Sequence, residues 1–157
     1  MLEEVDEKQK SSFWYGFATN YVFSMDKNEV LTISADDSLF LKQARVIEEL
    51  YEKESAVIIG RCSNFILKDK KNVLSIFIYS SDVEFKIKRK TELENLSKKE
   101  ATKKIKKMDK QRSDYYEHFT SKKWGDKSNY DICIDTSKIG VDQTIDILEC
   151  YFKEKIK

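Results

Sequence analysis

The chain has 157 residues, 40% of them hydrophobic and 36% charged, and a net charge of +1. That balance is too apolar for a disordered segment, too charged for a membrane protein, and too neutral overall for a general nucleic-acid binder. No apolar run approaches the ~18 residues of a membrane span, and the acidic start Glu3-Glu4-Val5-Asp6-Glu7 is unlike a secretory signal, so the expected compartment is the cytoplasm.

Leu2–Lys10 reads as the back half of a helix. Ser11–Phe23 follows, with Phe13, Trp14, Tyr15, Phe17, Tyr21 and Phe23, aromatic material for a core, a subunit interface or base stacking. Ser34-Ala35-Asp36-Asp37 resembles a capping box with Asp in place of Glu. It predicts a helix from about Ser38 to Glu54, with Phe40, Ala44, Ile47 and Tyr51 on one face at i, i+4, i+7 and i+11. Ala56–Ile59 then reads as a short buried strand ending at Gly60-Arg61, and Val73–Ile78 as a second strand. Ser81 with Glu84 makes a capping box for a helix to about Glu94. Ser97 with Glu100 makes another, opening a long helix to about Phe119. Tyr130–Ile134 is a third strand, and a last helix runs from about Val141 with Ile145, Leu148 and Phe152 on its apolar side.

This alternation predicts an α/β domain, a doubly wound parallel sheet with helices on both faces. Such sheets bind ligands beyond the carboxyl ends of their strands. Here those ends lead into Gly60-Arg61, Tyr79–Asp82 and Asp135-Thr136-Ser137. With no proline, no linker-like stretch and no repeat, a single domain over residues 1–157 is expected. Cys62, Cys133 and Cys150 are odd in number and form no CxxC pair, and His118 is the only histidine. A zinc site or a histidine-dependent hydrolase is therefore not expected. The thiols read as reduced, with Cys133 and Cys150 in the core.

Four places could carry chemistry. Gly60 lets the backbone turn close to a ligand, and Arg61 offers a planar fork for phosphate. The same pair could equally end a strand and bind a helix carboxylate. Arg45 lies at the margin of the first helix's core face, as an anion ligand or a solvated side chain. The long helix carries an apolar stripe, Ala101, Ile105, Met108, Tyr115 and Phe119, whose gap is filled by Arg112. Asp109, three residues earlier, is placed to orient that guanidinium or simply to pair with it. Lys98 to Arg112 also holds eight basic residues against Glu100 and Asp109, a solvated face or an anion-facing lid.

Taken together, Ser55–Cys62, Asn72–Tyr79, Leu96–Ala101, Met108–Tyr116, Lys123–Asp126 and Tyr130–Ser137 resemble the cytidylate kinase-like proteins, bacterial relatives of cytidylate kinase among the nucleoside-monophosphate kinases. Leu2–Lys8 and Asn28–Ser34 extend the likeness over nearly the whole chain. The resemblance implies a three-layer αβα parallel sheet of P-loop nucleoside-monophosphate-kinase type, with a lid-like helical region at about 97–126. It implies transfer of a phosphoryl group from ATP to a pyrimidine nucleoside monophosphate. By the same resemblance Arg61, Arg45 and Gly60 would hold the acceptor's phosphate. Asp109, Arg112 and Arg89 would serve the transferred group, and Asp135, Thr136 and Ser137 would lie near the adenine.

One departure stands out. The four glycines, Gly16, Gly60, Gly125 and Gly140, are too scattered to form the glycine-rich turn that cradles ATP phosphates. A strand–loop–helix unit of roughly 30 residues is expected to be missing before Leu2. The chain then reads as truncated, or as completed by another chain. ATP and Mg2+ are implied for an intact family member, and neither is expected to bind tightly here. A CMP-like monophosphate is the expected partner, with neither nucleic acid nor membrane, and a homodimer is possible. The expected activity is weak or absent. The alternative is a non-catalytic nucleotide-binding, regulatory or dimerisation module.

Overall fold

The computed structural model describes residues 35–155. The expected helix at Leu2–Lys10, the aromatic stretch Ser11–Phe23 and the Ser34 end of the first capping box lie outside these residues. The chain divides into two compact units, Met1–Val73 with Asp114–Trp124, and Leu74–Ser113 with Gly125–Lys157. Among the described residues no helix is long and apolar enough to cross a membrane.

In the first unit, helix α1 (Ala35–Lys53) buries the face that its spacing predicts: Phe40, Ala44 and Ile47. They join Cys62, Phe65, Ile66 and Leu67 on and around the short helix α2 (Ser63–Ile66), together with Tyr116. Phe40 stacks on Phe119 at 4.1 Å between centroids and meets Tyr115 edge-on at 6.5 Å.

Ala56–Ile59 corrects the expected strand. The segment pairs with no other strand among the described residues. Ile58 packs on the core, while Val57 and Ile59 are 90% and 89% exposed. Apolar content gives a segment strand propensity, but a strand exists only where a neighbour supplies N–H and C=O groups.

In the second unit, strands β1 (Ile76–Tyr79) and β2 (Ile132–Asp135) pair in parallel, with Ile76 opposite Ile132 and Tyr79 opposite Asp135. Where three parallel strands are expected, the described residues form a two-stranded sheet in a helix-rich α/β fold. At the entry to the ladder, Ser75 N–H and Oγ–H donate to Asp131 Oδ2 at 2.7 and 2.9 Å, and the Asp131 N–H returns a bond to Ser75 O at 2.9 Å.

Helix α3 (Val83–Glu94) follows β1. Its cap differs from expectation: Asp82, not Ser81, accepts from the backbone N–H of Glu84 and Phe85 at 2.8 and 3.2 Å. Glu84 is left to pair with Lys98 at 2.8 Å. Helix α4 (Lys98–Thr120) opens with the expected box, in which Ser97 N–H and Oγ–H donate to Glu100 Oε2 at 2.9 and 2.6 Å. Its residues to Ser113 belong to this unit, and those from Asp114 to the other. After β2 come the short helix α5 (Thr136–Ile139) and helix α6 (Val141–Lys155). The expected apolar face of α6 is largely open, with Ile145 50% and Phe152 40% exposed and Thr144 buried instead. The cysteines also differ from expectation: Cys62 is the buried one, and Cys150 is exposed.

Candidate functional site

In the first unit the backbone at the Gly60 turn is the informative feature. Gly60, Arg61 and Cys62 are all left-handed, at φ +73°, +55° and +56°. Only the first is a residue for which that region is free of steric cost, and each of the others carries of order 1–2 kcal/mol of strain. The turn is held from behind. Ser63 N–H donates to Gly60 O at 3.1 Å, and the N–H groups of Phe65 and Ile66 both donate to Cys62 O at 2.9 Å. Cys62 is anchored in the core, where burial pushes its thiol up to about 12 despite the neighbouring Arg61, so it is no nucleophile at neutral pH. With the backbone so fixed, the Arg61 guanidinium sits 5.7 Å from the centroid of the Tyr115 ring. The Tyr115 hydroxyl in turn donates to Gln43 Oε1 at 3.1 Å. Burial raises the pKa of Tyr115, and the hydrogen bond from Arg61 opposes that rise.

Arg61 is an exposed residue whose guanidinium nevertheless lies against an aromatic ring. Arg45 is arranged differently: it is 70% exposed and its Nε binds Glu49 at 3.1 Å on its own helix.

In the second unit, Asp109 is the centre. Lys86 Nζ lies 2.9 Å from its Oδ2, and Arg112 Nη1 lies 3.3 Å from its Oδ1. Asp109 and Lys86 are each 33% exposed and Arg112 is 55% exposed. One carboxylate thus gathers two cations, and about half of the Arg112 side chain stays in solvent. Lys86 is a member that sequence reasoning missed, because it lies 23 residues from Asp109, beyond any local spacing rule. Arg89, three residues further along α3, is exposed.

Asp135, Thr136 and Ser137 bind the ends of β1 and β2 together. Asp135 Oδ1 accepts from Ser81 N–H and Ser137 N–H, both at 3.1 Å, and from Ser137 Oγ–H at 2.6 Å. Thr136 Oγ1–H donates to Tyr79 O at 3.1 Å, and Ser137 Oγ accepts from Asp82 N–H at 3.3 Å. The Ser137 bond, with those from Ser81, holds the Asp135 carboxyl well below the usual carboxylate range.

Among the described residues, no group of three His, Cys, Asp or Glu side chains is placed to hold a metal ion, and Gly60, Gly125 and Gly140 have positive φ at three separate places in the chain.

The sequence profile of the Cytidylate kinase-like family matches residues 1–138. Among solved structures, the crystal structure of an uncharacterized protein from Eubacterium ventriosum ATCC 27560 is similar with a TM-score of 0.69 and 30% sequence identity. The likeness covers 94% of this chain and 93% of that chain. No curated protein matches.

Proposed function

The chain belongs to the cytidylate kinase-like family, and on that footing we propose that it binds a pyrimidine nucleoside monophosphate by its phosphate, with Arg61 as the principal cation. One observation carries the reading: three successive left-handed residues hold Arg61 over the Tyr115 ring. Backbone strain persists only where its surroundings enforce it, and such strain gathers at ligand sites. A guanidinium held this way has already lost rotamer freedom and can meet a phosphate with two parallel bonds. Arg45 and Gly60 complete the proposed acceptor site, Arg45 by exchanging Glu49 for the ligand.

Asp109, Arg112 and Arg89, with Lys86, are assigned to the charge of a transferred phosphoryl group, for which positioned cations are the main requirement. Asp135, Thr136 and Ser137 are assigned to the adenine side. Parallel β1–β2 pairing and the strand–helix alternation support the three-layer P-loop kinase plan. Transfer from ATP to the monophosphate is the activity proposed for a family member that carries the glycine-rich cradle. For these 157 residues we assign binding with little turnover.

Calorimetry with CMP, dCMP, UMP and ATP tests this. We expect saturable binding of a monophosphate and none of ATP. Arg61→Ala removes charge-assisted bonds of about 1.5–3 kcal/mol, which is roughly ten- to a hundredfold in affinity. Monophosphate binding of unchanged strength in Arg61→Ala overturns the assignment. A coupled ADP-release assay running at ordinary kinase rates, about 1–100 per second, overturns the claim of little turnover.

A second reading, self-association, is favoured by the exposure of Val57 and Ile59. Light scattering that shows a monomer at every concentration eliminates it.

A further inference from the structure

Five of the seven lysines of α4 sort into two sets by what they touch. Lys98 pairs with Glu84 and Lys104 with Glu94, each at 2.8 Å, so these two are neutralised by α3. Lys99, Lys103 and Lys106 form no ion pair among the described residues, and all three are exposed. Their spacing of 4 and 3 aligns them in one row on the helix. The row lies opposite Ala101, which is fully buried, and the half-buried Ile105 and Met108. From Lys99 to Lys106 the row is about 10 Å long. An open depression of about 630 Å³ beside it is lined by Lys98, Lys99, Thr102, Lys103 and Lys106. Arg112 continues the other row, Ala101, Ile105 and Met108, so the lysine row is separate from the Asp109 cluster.

We propose that this lysine row is a docking surface for the phosphate backbone of a nucleic-acid duplex. A helix that presents three cations along about 10 Å matches a stiff rod that carries one charge per ~1.7 Å and a phosphate every ~3.4 Å of each strand. Residues 98–112 contain no aromatic side chain with which to stack on unpaired bases. No large apolar side chain of α4 is exposed, so the helix lacks the apolar face by which interfacial helices enter a lipid surface. The low net charge of +1 pointed away from nucleic acid. The structure shows why that average misleads here: Glu84, Glu94 and Glu100 are spent on Lys98, Lys104 and Ser97, off the row.

Fluorescence anisotropy of the full chain with a labelled 20-base-pair duplex, as DNA and as RNA, tests the proposal between 50 and 200 mM NaCl. Three phosphate contacts at ~0.9 each give a log–log salt slope near −2.7, or about a fortyfold loss of affinity over that range. Lys103→Gln/Lys106→Gln keeps helix propensity and is expected to weaken binding at least tenfold and to flatten the slope by about two. Lys104→Gln, whose ammonium is already held by Glu94, is expected to change affinity less than threefold. The proposal is overturned by the absence of saturable binding at 50 mM salt, or by an unchanged slope in the double variant. Tighter binding to single strands, or to vesicles of anionic lipid, overturns it as well.

Discussion

The two units are held together by different means. Among the described residues, the unit with α1 encloses Phe40, Ala44, Ile47, Cys62, Phe65, Ile66, Leu67, Tyr116 and Thr120, while the unit with the sheet encloses only Ile87, Ala101, Ile134 and Thr144. The second unit relies on acceptors instead. Asp82, Asp131, Asp135 and Glu100 each take two or more bonds from backbone or hydroxyl donors. Lys86, Lys98 and Lys104 add ion pairs. Burial is non-directional and involves no charge for salt to screen, whereas carboxylate bonds depend on protonation and ion pairs on screening. The first unit should therefore answer to cavities, and the second to pH and ionic strength.

The largest effect that sharpens this contrast is Phe40→Ala. Phe40 is 5% exposed and loses its stack on Phe119, so a cost of about 3–5 kcal/mol in urea unfolding is expected, the same at pH 7 and pH 4. A loss below about 1 kcal/mol, within the range of surface changes, would show that the apolar cluster is not the anchor of its unit.

Asp135→Asn comes next and should behave in the opposite way. The native carboxyl titrates below its ordinary value of about 3.9, held there chiefly by the Ser137 hydroxyl and the Ser81 donors. Its contribution is thus complete above about pH 4 and disappears as pH falls through the depressed native value. The wild type should unfold at higher urea than Asp135→Asn at pH 7, and the two should converge in acid. A gap that persists unchanged at pH 2 refutes the linkage.

Smaller again is Ser97→Ala, which removes half of a reciprocal cap and should cost about 1 kcal/mol. The fraying should show as faster amide exchange in the first turn of α4.

That capping box was legible because its partners are three residues apart. So were the buried face of α1 and the start of α6, which rest on local periodicity and a local stop. The misreadings are non-local. Asp82 displaces Ser81 as the cap of α3 because Asp135, 54 residues away, takes the Ser81 N–H. Ala56–Ile59 has the composition of a strand, but composition does not supply a neighbour. The Gly60-Arg61 turn was visible as residue types, yet the left-handed run that fixes Arg61 extends to Cys62, a residue that rarely adopts that region and gives no warning of it. Lys86 could be found only once Asp109 was seen half-buried and in need of a second cation.

The smallest expected effect is the most specific to the sheet unit. Lys86 and Asp109, each 33% exposed and 2.9 Å apart, lie between a surface pair and a buried one. At that exposure, solvent screens most of the attraction, and Lys86→Met should cost about 0.5 kcal/mol at low salt. In 0.5 M NaCl the screening length falls to about 4 Å, close to the separation itself, and the cost should become indistinguishable from zero. Arg112 remains on Asp109 Oδ1 at 3.3 Å, so the carboxylate is never left without a cation, and the larger penalty of a stranded charge does not arise. Phe40→Ala measured under the same two conditions should show no such change. If the Lys86→Met cost survives high salt, the pair behaves as interior structure, and the division between an apolar unit and an electrostatic one fails at its most exposed joint.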